Sequence, residues 1–165
     1  MKKTESENDG WAPTYRGTVF PWHCDHIGHM NVMWFVGKFD EATWQLFSNV
    51  GLTPSYFREH NRGMAGLEQR ISYQRELRAG DVISIRSAVL EIREKVIRYA
   101  HEMRNDETGE RSAMMIVTSV HMDTEKRKSC PFPMEILESG RRMIIPFDPE
   151  KWGFRNNKET DGLTK

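Results

Sequence analysis

Ten consecutive residues, 22–31, read WHCDHIGHMN and bring one carboxylate, three histidines and an amide together just ahead of a helical pattern. A carboxylate in such a place can act as a nucleophile or a general base. The first turn of a helix leaves backbone N–H groups unpaired, and these groups favour negative charge. The spacing therefore predicts that Asp25 meets a ligand at a helix entrance. The structural alternative is that Asp25 only forms a turn or caps the helix.

The elements that must position this segment follow from hydrophobic periodicity. Apolar side chains recur every three or four residues from about 32 to 50, which predicts a long helix ended by Gly51 and Pro54. A second short helix is predicted at 54–59. Alternating patterns between turn residues predict strands near 14–19, 65–75, 82–92, 96–104 and 112–122. The last strand is apolar on both faces, which is typical of a central strand.

This order of elements predicts an α+β fold, in which an antiparallel sheet of five to six strands wraps around one long helix. Residues 14–147 are expected to form the domain, and residues 1–13 and 148–165 to be loose terminal segments. One helix leaves part of such a sheet uncovered, because it can pack on a single face. We therefore expect a homo-oligomer, either a dimer or a tetramer.

The composition argues against several classes of function. The 165 residues carry 24 basic and 24 acidic side chains, a balance that disfavours a nucleic-acid partner. No apolar run approaches the length that spans a bilayer, so we expect no membrane partner. The first residues are polar and lack the apolar segment of a secretory signal. Two cysteines make no disulfide framework and suit a reducing compartment, so we expect a cytoplasmic protein.

Three segments, in order along the chain, carry a family pattern. Residues 25–31 (DHIGHMN) have the form Asp-x-x-Gly-His-x-Asn, residues 39–42 are FDEA, and residues 72–81 are SYQRELRAGD. Together they resemble the hotdog-fold acyl-CoA thioesterases of the 4-hydroxybenzoyl-CoA thioesterase type, over roughly residues 15–133. Phe35 departs from the family, since many members carry Tyr there. The resemblance implies hydrolysis of an acyl-CoA to free acid and coenzyme A.

The resemblance also implies roles for individual residues. Asp25 would be the catalytic carboxylate, acting as nucleophile or general base. His29 and Asn31 would hold the Asp25 loop or contact the substrate. In the family, a backbone N–H from the loop-to-helix region after the long helix polarises the carbonyl across a dimer. The segment from Gly63 to Gly66 is the counterpart here, with Gly66 favoured because glycine permits close approach.

Other side chains of the same region allow further interpretations. Glu41 is a reserve carboxylate, because a sister branch of hotdog thioesterases uses a helix Glu. Trp34 is expected to line an acyl pocket or to pack against a partner subunit. His23, His26 and His29 have donor types that suit zinc, but no second ligand pair with matching spacing follows. We therefore expect no metal and no separate cofactor, with coenzyme A entering as part of the substrate.

Two alternative functions stay open: an acyl-carrier-protein thioesterase, and a non-catalytic hotdog module that binds acyl-CoA. A narrower resemblance, to thioesterase domains acting on betainyl-CoA, rests on residues 121–123 (HMD) and 130–133 (CPFP). Aromatic side chains such as Trp22 and Trp34 are candidates to face its quaternary ammonium.

Overall fold

The computed structural model describes residues 9–154, which form one antiparallel sheet with helices packed on it. The strands are β1 (Ala12–Thr18), β2 (Arg62–Tyr73), β3 (Val82–Ile92), β4 (Val96–Asn105), β5 (Arg111–Asp123) and β6 (Lys128–Ser129). The helices are α1 (Val32–Asn49), α2 (Pro54–His60) and α3 (Met134–Arg142), with a 3-10 turn at Pro21–His23. The sheet order is β1-β3-β4-β5-β2, and β6 pairs with β5. The expected α+β architecture is confirmed.

Helix α1 forms where the apolar periodicity predicts it. Its amino-terminal cap is Asn31, whose side chain accepts a hydrogen bond from the Met33 N–H. The predicted apolar stripe is buried against the sheet, including Phe39 and Leu46, which have no exposed surface. Gly51 follows with a φ of 98°, a left-handed conformation that ends the helix and favours glycine.

Strand β5 is central, as its two apolar faces predict. It pairs with β4 on one side and with β2 on the other. Met115 and Val117 join the core that contains α1, whereas Met114 and Ile116 join a second apolar cluster. One strand therefore supplies both faces of the sheet with buried side chains.

The second apolar cluster corrects the expectation of loose terminal segments. Trp152 and Phe154 are buried and pack with Ala88 and Ala100. From the other end of the chain, Trp11 meets Trp152 with ring centroids 5.6 Å apart. The prediction is therefore wrong for residues 9–13 and 148–154. Their aromatic residues are isolated in polar sequence and form no periodic pattern, so the sequence does not indicate that they pack on the sheet. Residues 1–8 and 155–165 lie outside the described residues.

Candidate active site

Residues 24–30 form a closed turn that presents Asp25. The Asp25 N–H donates to the His29 carbonyl at 3.1 Å, and the Gly28 N–H donates to the Asp25 carbonyl at 3.0 Å. Cys24 and Met30 pair as a short antiparallel bridge at its base. Gly28 has a φ of 90°, which explains why the turn needs glycine at this position. Local backbone hydrogen bonds thus fix the position of Asp25.

Both oxygens of the half-buried Asp25 carboxylate accept hydrogen bonds. Oδ2 accepts from Asn31 Nδ2 at 3.1 Å, and Oδ1 accepts from the Ile27 N–H at 3.0 Å. The Asn31 hydrogen bond, followed by the Ile27 hydrogen bond, holds the pKa of Asp25 below its ordinary value of 3.8. The carboxylate is therefore ionised at neutral pH, as a nucleophile or general base requires.

Asn31 joins this carboxylate to the start of α1. Its Oδ1 accepts from the Met33 N–H at 3.1 Å, so the amide nitrogen is left to donate to Asp25. The cap of α1 is therefore Asn31 and not Asp25. Asp25 has the other structural role considered above, because its side chain forms part of the turn. The positive end of the α1 dipole lies beside the carboxylate, where it favours additional negative charge.

His29 is held at the same place by the segment that follows β2. Its Nε2 lies 2.9 Å from Glu76 Oε2, and the Met30 N–H donates to the Leu77 carbonyl at 2.7 Å. His29 is also near enough to Asp25 to contribute to its lowered pKa. The structure therefore brings Asp25, His29 and Asn31 together.

Trp34 lies in the first turn of α1 and packs against a side chain of its own subunit. Its ring centroid lies 4.4 Å from that of His23, which is buried. His23 Nδ1 accepts from the Phe20 N–H at 3.0 Å. Burial, followed by the charge of Lys38, lowers the pKa of His23, so its ring is neutral at pH 7. This contact explains the orientation of Trp34. Its expected role, to line an acyl pocket or to pack against a partner subunit, stays a prediction.

The segment from Gly63 to Gly66 leads into no helix, unlike its counterpart in the family, and Gly66 falls in the strand predicted near 65–75. Both lie in strand β2, where they pair with Met122 and Ser119 of β5, and no helix begins at this segment. Within the subunit, a Cβ at Gly66 would meet no atom within 4 Å. The helix terminus beside Asp25 is instead that of α1, so polarisation by the Gly63–Gly66 segment stays a prediction about the assembled oligomer.

The residues in and next to the Asp25 turn along the chain include an exposed apolar group. It consists of Trp22, Ile27, Val32 and Met33, which are 55–68% exposed. Such large apolar side chains on a surface mark a contact for a ligand or another chain. The reserve carboxylate Glu41 is exposed on α1, and its charge acts on His23.

The described residues hold no group of three or more His, Cys, Asp or Glu side chains arranged to bind a metal ion. Over the same residues, no helix is both long and apolar enough to cross a bilayer.

A small cavity beside α1 was not predicted from the sequence. It has a volume of about 100 Å³ and lies between α1 and strands β2, β4 and β5. Its walls include Asp40, Trp44, Phe47, Gln69, Tyr99 and Ser119. The spacing of Asp40 and Trp44, four residues apart on one helix, is a signal that could have indicated a shared face. The strand residues give no such signal.

Comparisons with known proteins agree with this architecture. Residues 19–140 match the thioesterase-like superfamily. A betainyl-CoA thioesterase of Pseudomonas aeruginosa is 23% identical over 140 residues, which cover 81% of this chain and 88% of the relative.

Solved structures share the fold at low sequence identity. A Staphylococcus aureus protein solved in complex with CoA has a TM-score of 0.77 and 19% identity, with 88% of this chain and 95% of that chain covered. A 1,4-dihydroxy-2-naphthoyl-CoA thioesterase of Synechocystis has a TM-score of 0.67 and 16% identity, with coverage of 76% and 92%. The expected hotdog fold is confirmed. Because the family match spans most of its length, the chain belongs to the thioesterase-like superfamily of hotdog-fold hydrolases.

Proposed function

We propose that this protein hydrolyses an acyl-CoA thioester to a free acid and coenzyme A, with Asp25 as the catalytic carboxylate. The observation that carries the proposal is the Asp25 carboxylate, which accepts hydrogen bonds from Asn31 Nδ2 and the Ile27 N–H beside the amino terminus of α1. This chemistry is that of the 4-hydroxybenzoyl-CoA thioesterase type, and assignment to that type is part of the proposal. Coenzyme A is part of the substrate, and no separate cofactor is invoked.

The geometry suits two routes to the same products. In the first, an Asp25 oxygen attacks the thioester carbonyl, the C–S bond breaks, and the CoA thiolate leaves and is protonated by solvent. Water then hydrolyses the mixed anhydride and restores the carboxylate. In the second route, Asp25 removes a proton from water as that water attacks the carbonyl. Either route develops an oxyanion, which the N–H groups and dipole at the start of α1 would stabilise.

The relatives support coenzyme A as the carrier of the acyl group. One curated relative is named a betainyl-CoA thioesterase, and one structural neighbour was solved in complex with CoA. Exposed apolar side chains at Trp22 and Val32 beside the carboxylate suit the approach of a thioester and exclude part of the surrounding water.

We further propose a homodimer formed through β2. This strand of 12 residues ends the sheet, and residues 66–70 are exposed along it. Leu67 lies in a bulge and is 61% exposed. A long edge strand with an apolar side chain is a template for pairing with another copy. The face of the sheet opposite α1 is covered by Trp152 and Phe154, which favours a dimer over a face-to-face tetramer.

The decisive variant for catalysis is Asp25→Asn. Asparagine keeps an oxygen for the Ile27 N–H but can neither attack nor accept a proton as a carboxylate does. We expect the rate of CoA release, measured with a thiol reagent, to fall by about 10²-fold or more. Glu41→Gln is the matched control, since it neutralises the reserve carboxylate, and it should retain most activity.

Asp25→Asn must be compared with the wild type at equal fold and assembly, by circular dichroism and light scattering. Wild-type turnover in this variant would overturn the assignment of Asp25. Tight acyl-CoA binding without turnover in the wild type would indicate a binding module. Preference for acyl groups on a carrier protein would overturn coenzyme A as the carrier.

The dimer is tested by Leu67→Lys, which places a charge on the β2 edge. We expect the molecular mass from light scattering to shift from dimer toward monomer. Met134→Lys changes an equally exposed apolar residue on α3 and should leave the mass unchanged. A wild-type monomer, or a Leu67→Lys dimer as stable as the wild type, would contradict the proposed interface.

A further inference from the structure

The 148–154 segment covers the face of the sheet opposite α1 with the buried rings of Trp152 and Phe154. Two of its carbonyls are bound by side chains at the end of β2. Gln74 Nε2 donates to the Trp152 carbonyl at 2.8 Å, and Ser72 Oγ donates to the Gly153 carbonyl at 3.0 Å. The segment therefore holds the chain at the point where β2 leaves the sheet.

The contact between this segment and Gln74 is close enough to exclude a side chain at Gly153. A Cβ at Gly153 would lie 2.7 Å from Gln74 Nε2 and 3.1 Å from Ser72 Oγ. Gln74 Nε2 also donates to Ser72 Oγ at 3.4 Å, so both N–H groups of this amide have acceptors. Gln74 therefore has a defined position between β2 and the 148–154 segment.

Residues 74–77 link this contact to the Asp25 turn. Glu76 Oε2 lies 2.9 Å from His29 Nε2, and the Leu77 carbonyl accepts from the Met30 N–H at 2.7 Å. Leu77 has no exposed surface and belongs to the core that contains α1. Because three residues of chain span at most about 11 Å, the position of Gln74 restricts where Glu76 and Leu77 can lie.

We propose that Gln74 is a positioning residue for the Asp25 carboxylate, acting through the 74–77 link. This inference rests on the proposed acyl-CoA hydrolysis. The Glu76 side chain is 66% exposed, so water competes for its contact with His29 and this contact alone holds the turn weakly. The half-buried Gln74 fixes the backbone from which Glu76 projects. A reacting group displaced by about 1 Å can lose about 100-fold in rate, so this constraint affects turnover.

The first experiment replaces Gln74 by methionine, which has a similar length but no N–H donor. Acetyl-CoA, benzoyl-CoA and palmitoyl-CoA are the probes, and the one that the wild type hydrolyses fastest is used for kinetics with a thiol reagent. For Gln74→Met we expect kcat to fall about ten-fold and KM to change less than about two-fold, because Asp25 is misplaced while the substrate contacts are retained. Gly153→Ala acts on the same contact from the other side and should give the same loss.

Each variant has a matched control. Thr124→Val removes a hydrogen bond of the same kind near the opposite end of β2, where Thr124 Oγ1 donates to the Asn61 carbonyl at 2.9 Å. Gly109→Ala imposes the same left-handed backbone strain as Gly153→Ala, with a φ of 71° against 80°, but its Cβ would meet no atom within 4 Å. Both controls can lower Tm, and both should keep the wild-type kcat.

The second experiment measures the Asp25 turn directly and needs no substrate. Hydrogen–deuterium exchange is followed in peptides that cover residues 24–31, which include the Met30 N–H bound to the Leu77 carbonyl. We expect exchange about ten-fold faster than in the wild type for Gln74→Met and Gly153→Ala, and wild-type exchange for both controls.

Three results would overturn the inference while leaving the proposed hydrolysis intact. They are an unchanged kcat in Gln74→Met, a rise in KM alone, and a loss of kcat in the controls that equals the loss in the variants. Release of no thiol by the wild type from any acyl-CoA would instead overturn the proposed function. Exchange in residues 24–31 would then decide the link by itself, since wild-type exchange in Gln74→Met would refute it and faster exchange would support it.

Discussion

Asn31 performs two separable tasks, and substitutions can divide them. Its Oδ1 caps α1 by accepting from the Met33 N–H, and its Nδ2 donates to Asp25 Oδ2. Asn31→Ala removes both hydrogen bonds. Asn31→Ser keeps a side-chain oxygen for the cap but has no amide to donate to the carboxylate. Asn31→Asp keeps the cap and places a second carboxylate beside Asp25.

The cap determines the expected effect on stability. Loss of an amino-terminal cap costs about 1 kcal/mol of unfolding free energy, so Asn31→Ala should lower Tm by about 2–4 °C in a chain of this size. Asn31→Ser and Asn31→Asp should remain near the wild type. Asn49→Ala, at the exposed far end of α1, is the control and should change Tm little.

The hydrogen bond to Asp25 determines the expected effect on pH dependence. The Asn31 amide is the largest cause of the lowered pKa of Asp25, and activity requires the ionised carboxylate. Activity is thus lost as pH falls through that pKa, which in the wild type lies below 3.8. Removing the donor raises the pKa, so the acid limb of kcat/KM should move to higher pH in Asn31→Ser. It should move further in Asn31→Asp, because two carboxylates then repel each other.

These profiles require thiol-release rates together with circular dichroism at each pH, so that acid unfolding is separated from titration of the site. An unchanged acid limb in both Asn31→Ser and Asn31→Asp would refute the link between Asn31 and the charge of Asp25. Equal destabilisation of Asn31→Ser and Asn31→Ala would refute the capping argument.

Two further predictions concern the framework of the fold. Burial lowers the pKa of His101 to about 3, so below about pH 6.5 the unfolded chain binds a proton that the folded chain does not. This group should therefore lower the free energy of unfolding by about 1.4 kcal/mol for each pH unit of acidification between about pH 6 and pH 3. Urea unfolding at several pH values measures this dependence, and in His101→Gln the free energy of unfolding should change with pH by that amount less than in the wild type. Equal slopes would contradict the buried neutral ring. Trp152→Ala should lower the free energy of unfolding by about 3 kcal/mol and expose the sheet face that Trp152 covers, increasing self-association in light scattering. A Trp152→Ala variant with the stability and molecular mass of the wild type would show that Trp152 is not needed to cover this face of the sheet.

Much of the candidate site is encoded within a short stretch of the chain. The side chains of Asp25 and Asn31 bind each other and nearby backbone N–H groups through hydrogen bonds that span at most six residues. His29 and Met30 also contact Glu76 and Leu77, which lie far away in the sequence. The short-range hydrogen bonds leave a recognisable spacing, which is why the turn and helix α1 could be predicted. The sequence does not identify the helix cap, because Asp and Asn are equally good caps and only the folded structure distinguishes them.

The remaining parts depend on residues that are far apart in sequence. Gly63 precedes the strand predicted near 65–75, but pairing with Met122 of β5 extends that strand back to Arg62. Trp152 lacks any periodic context, yet it is buried by residues near the other end of the chain.

By itself, the sequence determined the order of the elements from β1 to β5, the extent of α1 and the local motif around Asp25, since these depend on periodicity and on hydrogen bonds between near neighbours. It indicated neither β6 nor α3. Only the tertiary structure decided the cover of the outer sheet face and the cavity joining Asp40 to Tyr99 and Ser119. Those features arise when strands align in register, and no local pattern in the chain specifies which distant side chains then meet.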